Sequence, residues 1–148
     1  MTDAPSVTAN EKIQHLRRLP LFSELSEAEI AQIEPLFSVE RFRAGEYVYR
    51  QAEDSYALYL FLTGRGRLLH VDDDGIERHG ADVEPGEFVG EKSLFMYDPR
   101  PNSLLIVRDA VVLVLPRRDM HPAIGRAATR LAAPTTLVAL EGEWSQVV

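Results

Sequence analysis

The rhythm of apolar and polar positions changes once along this chain, near Phe37. Before that point Ile13, Leu16 and Leu19 recur at helical spacing in NEKIQHLRRLPLF and predict a helix ending before Pro20. A second helix is predicted directly after it. Ser26 with Glu29 three positions on has the form of a capping box, Ile30 and Ile33 carry the stripe forward, and Pro35 limits it. After Phe37, short apolar stretches alternate with Gly, Asp and Pro, the texture of an all-β sandwich or barrel. Strands are predicted at 39–42, 47–49, 58–62, 66–70, 78–83, 103–107 and 111–115. Ala44-Gly45, Thr63-Gly64 and Asp72-Asp73-Asp74-Gly75 supply turns between them. Beyond Pro116 a helix is expected from about Asp119 or Pro122 to Ala132, with Pro134 stopping or kinking it; 135–144 is a candidate for a further short helix.

Composition narrows the class. A length of 148 residues suits one domain with a proper core, and 45% hydrophobic content without an apolar run near eighteen residues predicts no membrane span. The opening MTDAPSVTAN has neither a basic start nor an apolar core, so it reads as a disordered lead-in over 1–9, and a cytoplasmic location is expected. Cysteine is absent, which removes disulfides, thiolate metal sites and cysteine nucleophiles. The formal net charge of −7 makes nucleic acid a poor partner. His15, His70, His79 and His121 show no metal-ligand spacing, and His70 and His79 read as strand-surface residues. No nucleophile motif, phosphate loop or metal-spaced cluster points to catalysis, so an enzyme is not expected.

The candidate chemistry gathers in GEFVGEKSLFMYDPRPNS, from Gly86 to Ser103. Glycines let backbone N–H groups approach an anion, a guanidinium grips phosphate oxygens in a two-pronged hydrogen bond, and a carboxylate accepts from sugar hydroxyls. A ribose phosphate uses all three.

This stretch resembles the phosphate-binding cassette of cyclic nucleotide-binding domains. Gly90-Glu91 and Arg100 stand nine positions apart as in kinase-type members, and LPLFSELSEAEIAQIEPLF and AGEYVYRQAEDSYALYLFLTGRGRLL resemble the family's helical and first β segments. Ala52 stands where the family usually has glycine. The likeness covers about residues 12 to 120. It implies a mainly β fold with flanking helices, an eight-stranded β-roll of the double-stranded β-helix type. The domain is expected over 10–133, divided into a helical opening at 10–36, the roll at 38–116 and a C-terminal helix at 117–133, with 134–148 a tail or lid. Trp144 is a candidate lid residue.

By the same resemblance Arg100 pairs with the exocyclic phosphate oxygens, Glu91 accepts from the ribose 2′-OH, and Gly90 presents backbone to both. Ser93 stands where the family has an alanine whose N–H points at the phosphate, and Lys92, within the cassette, reads as solvated. Ser103 closes the motif. Pro101 follows the arginine where a backbone N–H helps hold the phosphate; proline has none, and that donor is worth about 1.5–3 kcal/mol, roughly ten- to a hundredfold in affinity. Without a hydroxyl at this position the ligand leans toward cAMP over cGMP. Asn102 replaces a small apolar residue facing the roll and needs a partner.

The implied function is a ligand-sensing domain for a cyclic nucleotide, without cofactor, signalling through its C-terminal helix to a second subunit or a separate effector protein. The alternative from the same residues is a fold that no longer binds nucleotide and serves as a protein-interaction or dimerisation module. Neither reading uses nucleic acid or a membrane as partner.

Overall fold

The side chain of Thr8 accepts from the Glu11 amide and starts helix α1, Ala9–Arg18. The computed structural model describes residues 7–19, 22–54, 56–90, 99–117 and 145–146. Helix α2, Glu27–Ile33, opens with the predicted capping box: Ser26 Oγ accepts from Glu29 N, and Glu29 Oε1 accepts from Ser26 N. Pro35 does not simply stop this helix. It sits in the first positions of a 3-10 turn, Glu34–Leu36, where the N–H it lacks has no intrahelical acceptor anyway.

Both helices bury one face. Leu16, Leu19, Phe22, Ile30, Ile33 and Phe37 pack with Leu58, Leu60, Leu62, Leu113 and Leu115, and Phe22 meets Phe37 edge to face at 6.3 Å. Each such side chain taken out of water contributes about 1.5–3 kcal/mol. Lys12 pins α1 to the 3-10 turn through Glu34 at 2.8 Å and the Phe37 carbonyl at 3.1 Å.

The strands are β1 (Ser38–Phe42), β2 (Tyr47–Tyr49), β3 (Ala57–Val71), β4 (Glu77–Val83), β5 (Phe88–Val89), β6 (Ser103–Pro116) and β7 (Ser145–Gln146). All pair antiparallel in one sheet of order β1-β6-β3-β4-β7, with β2 also on β6 and β5 on β3. The described residues thus carry seven strands where the resemblance implies eight, and the sheet is not closed into a barrel. The run from β1 to β6 covers Ser38–Pro116.

Two predicted breaks are absent. The pairs 58–62 with 66–70 and 103–107 with 111–115 are single long strands, and Thr63-Gly64 is a bend inside β3 rather than a turn. The β3–β6 register shifts three times between Phe61 and Gly66, so bulges bend the ladder without ending it. Gly64, at φ +83°, lets β6 cross there, since a Cβ would lie 2.3 Å from the Asp109 carbonyl oxygen. The Asp72–Gly75 hairpin forms as predicted, with Gly75 N–H donating to Asp72 O and Asp72 Oδ1 accepting from Asp74 N and Ile76 N.

Alternation along β3 explains its continuous apolar run. Leu58, Leu60 and Leu62 face the helices, whereas Ala57, Tyr59 and Phe61 face a second core with Tyr49, Val89, Leu104, Ile106, Val112 and Val114. That second core lies against the candidate site.

Candidate functional site

The segment entering β6 is fixed before its side chains matter. Arg100 N–H donates to Glu53 O at 3.0 Å, and Ala52 N–H donates to Arg100 O at 2.7 Å. Ala52 takes φ +70°, the left-handed region, in this bridge, which is the reason glycine suits that position. Gln51 adds a clamp: its N–H donates to Ser103 Oγ at 2.8 Å, its Nε2 donates to Val71 O, and its Oε1 accepts from Val71 N. His70 Nδ1 lies 2.7 Å from Pro101 O. His70 is thus a half-buried strand residue of β3 that is also tied to the arginine segment.

Arg100 is 4% exposed. Its guanidinium carbon lies 4.1 Å from the centroid of the Tyr49 ring and 5.5 Å from that of Tyr59, two rings that themselves meet at 5.6 Å. Nη2 donates to the Ala57 carbonyl at 3.2 Å, and Nε has no acceptor. No ion pair among the described residues includes Arg100. An aromatic seat of this kind stabilises a cation by about 0.5–2 kcal/mol and cannot replace a counter-charge.

Gly90 completes the corner at φ +90°. A Cβ there would stand 2.4 Å from the Ala57 oxygen and 3.2 Å from Arg100 Nη1, so only glycine fits between strand and guanidinium. The backbone of β5 arrives at this point because Val89 pairs with Tyr59.

Asn102 is 1% exposed. The Tyr49 hydroxyl donates to its Oδ1 at 3.4 Å, while Nδ2 has no partner. A buried amide left in that state costs about 1–3 kcal/mol.

Of the predicted site residues, the structure brings Gly90 and Arg100 together and places Pro101 and Ser103 on the same segment, the Ser103 hydroxyl accepting from Gln51. Glu91, Lys92 and Ser93 lie outside the described residues, as do the expected C-terminal helix and Trp144. Of the expected tail, Ser145 and Gln146 pair with His79 and Arg78 of β4. Sequence reasoning missed Tyr49, Tyr59, the Ala57 carbonyl and Gln51, because only the tertiary fold brings the first three to the arginine and Gln51 to Ser103.

On the β3–β4 face, Arg67 grips Asp82 at 2.7 and 3.2 Å and holds its carboxyl below the ordinary value, chiefly through that hydrogen bond. Arg65 reaches Glu84 at 2.6 Å. Among the described residues no group of three or more acids and histidines gathers for a metal, and no helix is long and apolar enough to cross a membrane.

Comparison with known proteins agrees with this geometry. The family model for the cyclic nucleotide-binding domain matches residues 39–126. The cyclic AMP receptor protein of Thermus thermophilus is 34% identical over 107 residues, 72% of this chain and 50% of the relative. A solved structure of the Thermus thermophilus catabolite activator protein aligns with TM-score 0.71 at 30% identity, over 78% of this chain and 57% of that one. A mutant regulatory subunit of a cAMP-independent protein kinase A from Trypanosoma brucei, bound to cAMP in the A site, aligns with TM-score 0.78 at 26% identity, over 86% of this chain and 47% of that one. The chain spans about half the length of these relatives.

Proposed function

The chain belongs to the cyclic nucleotide-binding domain family, and from that premise we propose that it is a non-catalytic, cytoplasmic sensing domain for a cyclic nucleotide monophosphate, cAMP in preference to cGMP. The observation that carries the reading is Arg100. A guanidinium 4% exposed, seated on Tyr49 beside the backbone of Gly90 and without a carboxylate partner among the described residues, is a cation kept for an anion. The cyclic phosphate supplies that charge, and Arg100 offers it the fork geometry. The cAMP-bound relative supports this ligand class. Glu91, Lys92 and Ser93 belong to the proposed site on the resemblance alone.

Signalling is proposed to run from Arg100 through β6 to the segment after Arg117, whose N–H donates to the Tyr56 carbonyl at 2.9 Å as the chain leaves the sheet. Ligand binding biases that segment only if bound and free states differ in their contacts. The receiver is a second subunit or a separate effector protein.

Thermal denaturation with and without cAMP or cGMP tests the ligand. Binding at one hundred times Kd stabilises the domain by about 2.7 kcal/mol. Absence of any shift with both nucleotides at millimolar concentration overturns the sensor reading. It would favour the dimerisation or interaction module, for which the missing N–H of Pro101 is the specific support.

A further inference from the structure

We propose that the side-chain amide of Asn102 is a ligand-recognition group of this chain, donating from Nδ2 to an acceptor on the bound nucleotide. The proposal rests on the sensor reading above. It starts from the alternation of β6 and its approach: Arg100, Asn102, Leu104 and Ile106 are all buried, whereas Pro101 is exposed and Ser103 and Leu105 are half-buried. Arg100 and Asn102 are thus both buried, on either side of the exposed Pro101. Tyr49 joins them physically, with its ring beneath the guanidinium and its hydroxyl on Asn102 Oδ1.

The Arg100 N–H is bonded to Glu53 O, Pro101 has no N–H, and the Pro101 carbonyl faces His70. Two buried side-chain donors of this segment have no acceptor, Arg100 Nε and Asn102 Nδ2. Buried polar groups in native proteins are nearly always satisfied, so a guanidinium Nε and an amide Nδ2 that both lack acceptors on one segment mark a common use. Asn102 supplies, one residue later and from a side chain, the donor that Pro101 removes from the backbone. The neutral amide discriminates by geometry and adds no second charge to the interior.

The test measures cAMP and cGMP affinities by calorimetry for the wild type, Asn102→Ala and Asn102→Asp, with circular dichroism confirming the fold of each. Asn102→Ala is expected to bind about tenfold more weakly. Asn102→Asp, with an acceptor and a negative charge in place of the donor, is expected to bind more weakly still. Equal losses for both nucleotides assign the acceptor to the sugar phosphate, and unequal losses assign it to the purine edge. On the wild-type protein, the Asn102 side-chain NH₂ resonances are expected to shift when cAMP is added, which guards against variants that fail to fold. Wild-type binding with unmoved resonances, or with unchanged affinity in Asn102→Ala, overturns this proposal alone. A wild type that binds neither nucleotide overturns the sensor reading and this one together.

Discussion

Arg100 and Tyr49 are held face to face, the guanidinium carbon 4.1 Å from the ring centroid, in a place where the arginine is almost wholly withdrawn from water. The pair explains how a cation persists in this interior without a described carboxylate beside it. The ring and the Ala57 carbonyl offset part of its desolvation, and the remainder is a standing cost to the ligand-free fold.

That cost predicts a trade. Arg100→Met fills a similar volume without charge, and the ligand-free variant is expected to be more stable than wild type by about 1–3 kcal/mol. The same variant should lose the stabilisation by cyclic nucleotide. Thermal denaturation with and without cAMP reads both effects; a variant less stable than wild type and still shifted by cAMP contradicts the account.

Ala52→Gly is expected to stabilise the domain. At φ +70° an L-residue carries a strain of about 1–2 kcal/mol, against which glycine's greater freedom in the unfolded chain costs about 0.4–1 kcal/mol. A net gain of about 0.5–1 kcal/mol should appear in urea denaturation as a higher midpoint with unchanged slope. A lower midpoint would show that the bridge from Ala52 to Arg100 is not strained.

Asp82 sets an acid limit. Its folded-state carboxyl is held below the ordinary value of 3.8, first by the Arg67 hydrogen bond and then by the charges of Arg67 and Arg65. A lowered folded value means the contribution is fully present above the unfolded value and is lost as pH falls through the folded one. Because the pair is partly exposed, its contribution is about 1 kcal/mol or less. Melting curves from pH 7 down to pH 3 should show wild type losing its advantage over Asp82→Asn below about pH 4; a constant difference across that range would contradict it.

Local signals in the sequence reached the two described α-helices and most strand positions. Ser26 and Glu29 specify their helix start by their own hydrogen bonds, and Asp72 and Gly75 specify a hairpin, so neither needs distant partners. Thr63-Gly64 misled because a glycine that breaks a strand and one that lets another strand cross look alike in sequence; the Asp109 carbonyl decides between them. Ala52 was legible as a departure from glycine, but its φ was not. For the site, the motif located Gly90 and Arg100, whereas the tyrosine seat depends on registers between β2, β3 and β6 that no local pattern encodes.

On the proposed function, Arg100 is buried to bind a cyclic phosphate. The most direct test is the affinity for cAMP of wild type against Arg100→Lys, both confirmed folded. Lysine keeps the charge and loses the planar fork, so the account predicts measurable wild-type binding and a loss of tenfold or more in the variant. Equal affinities in the two proteins would contradict it.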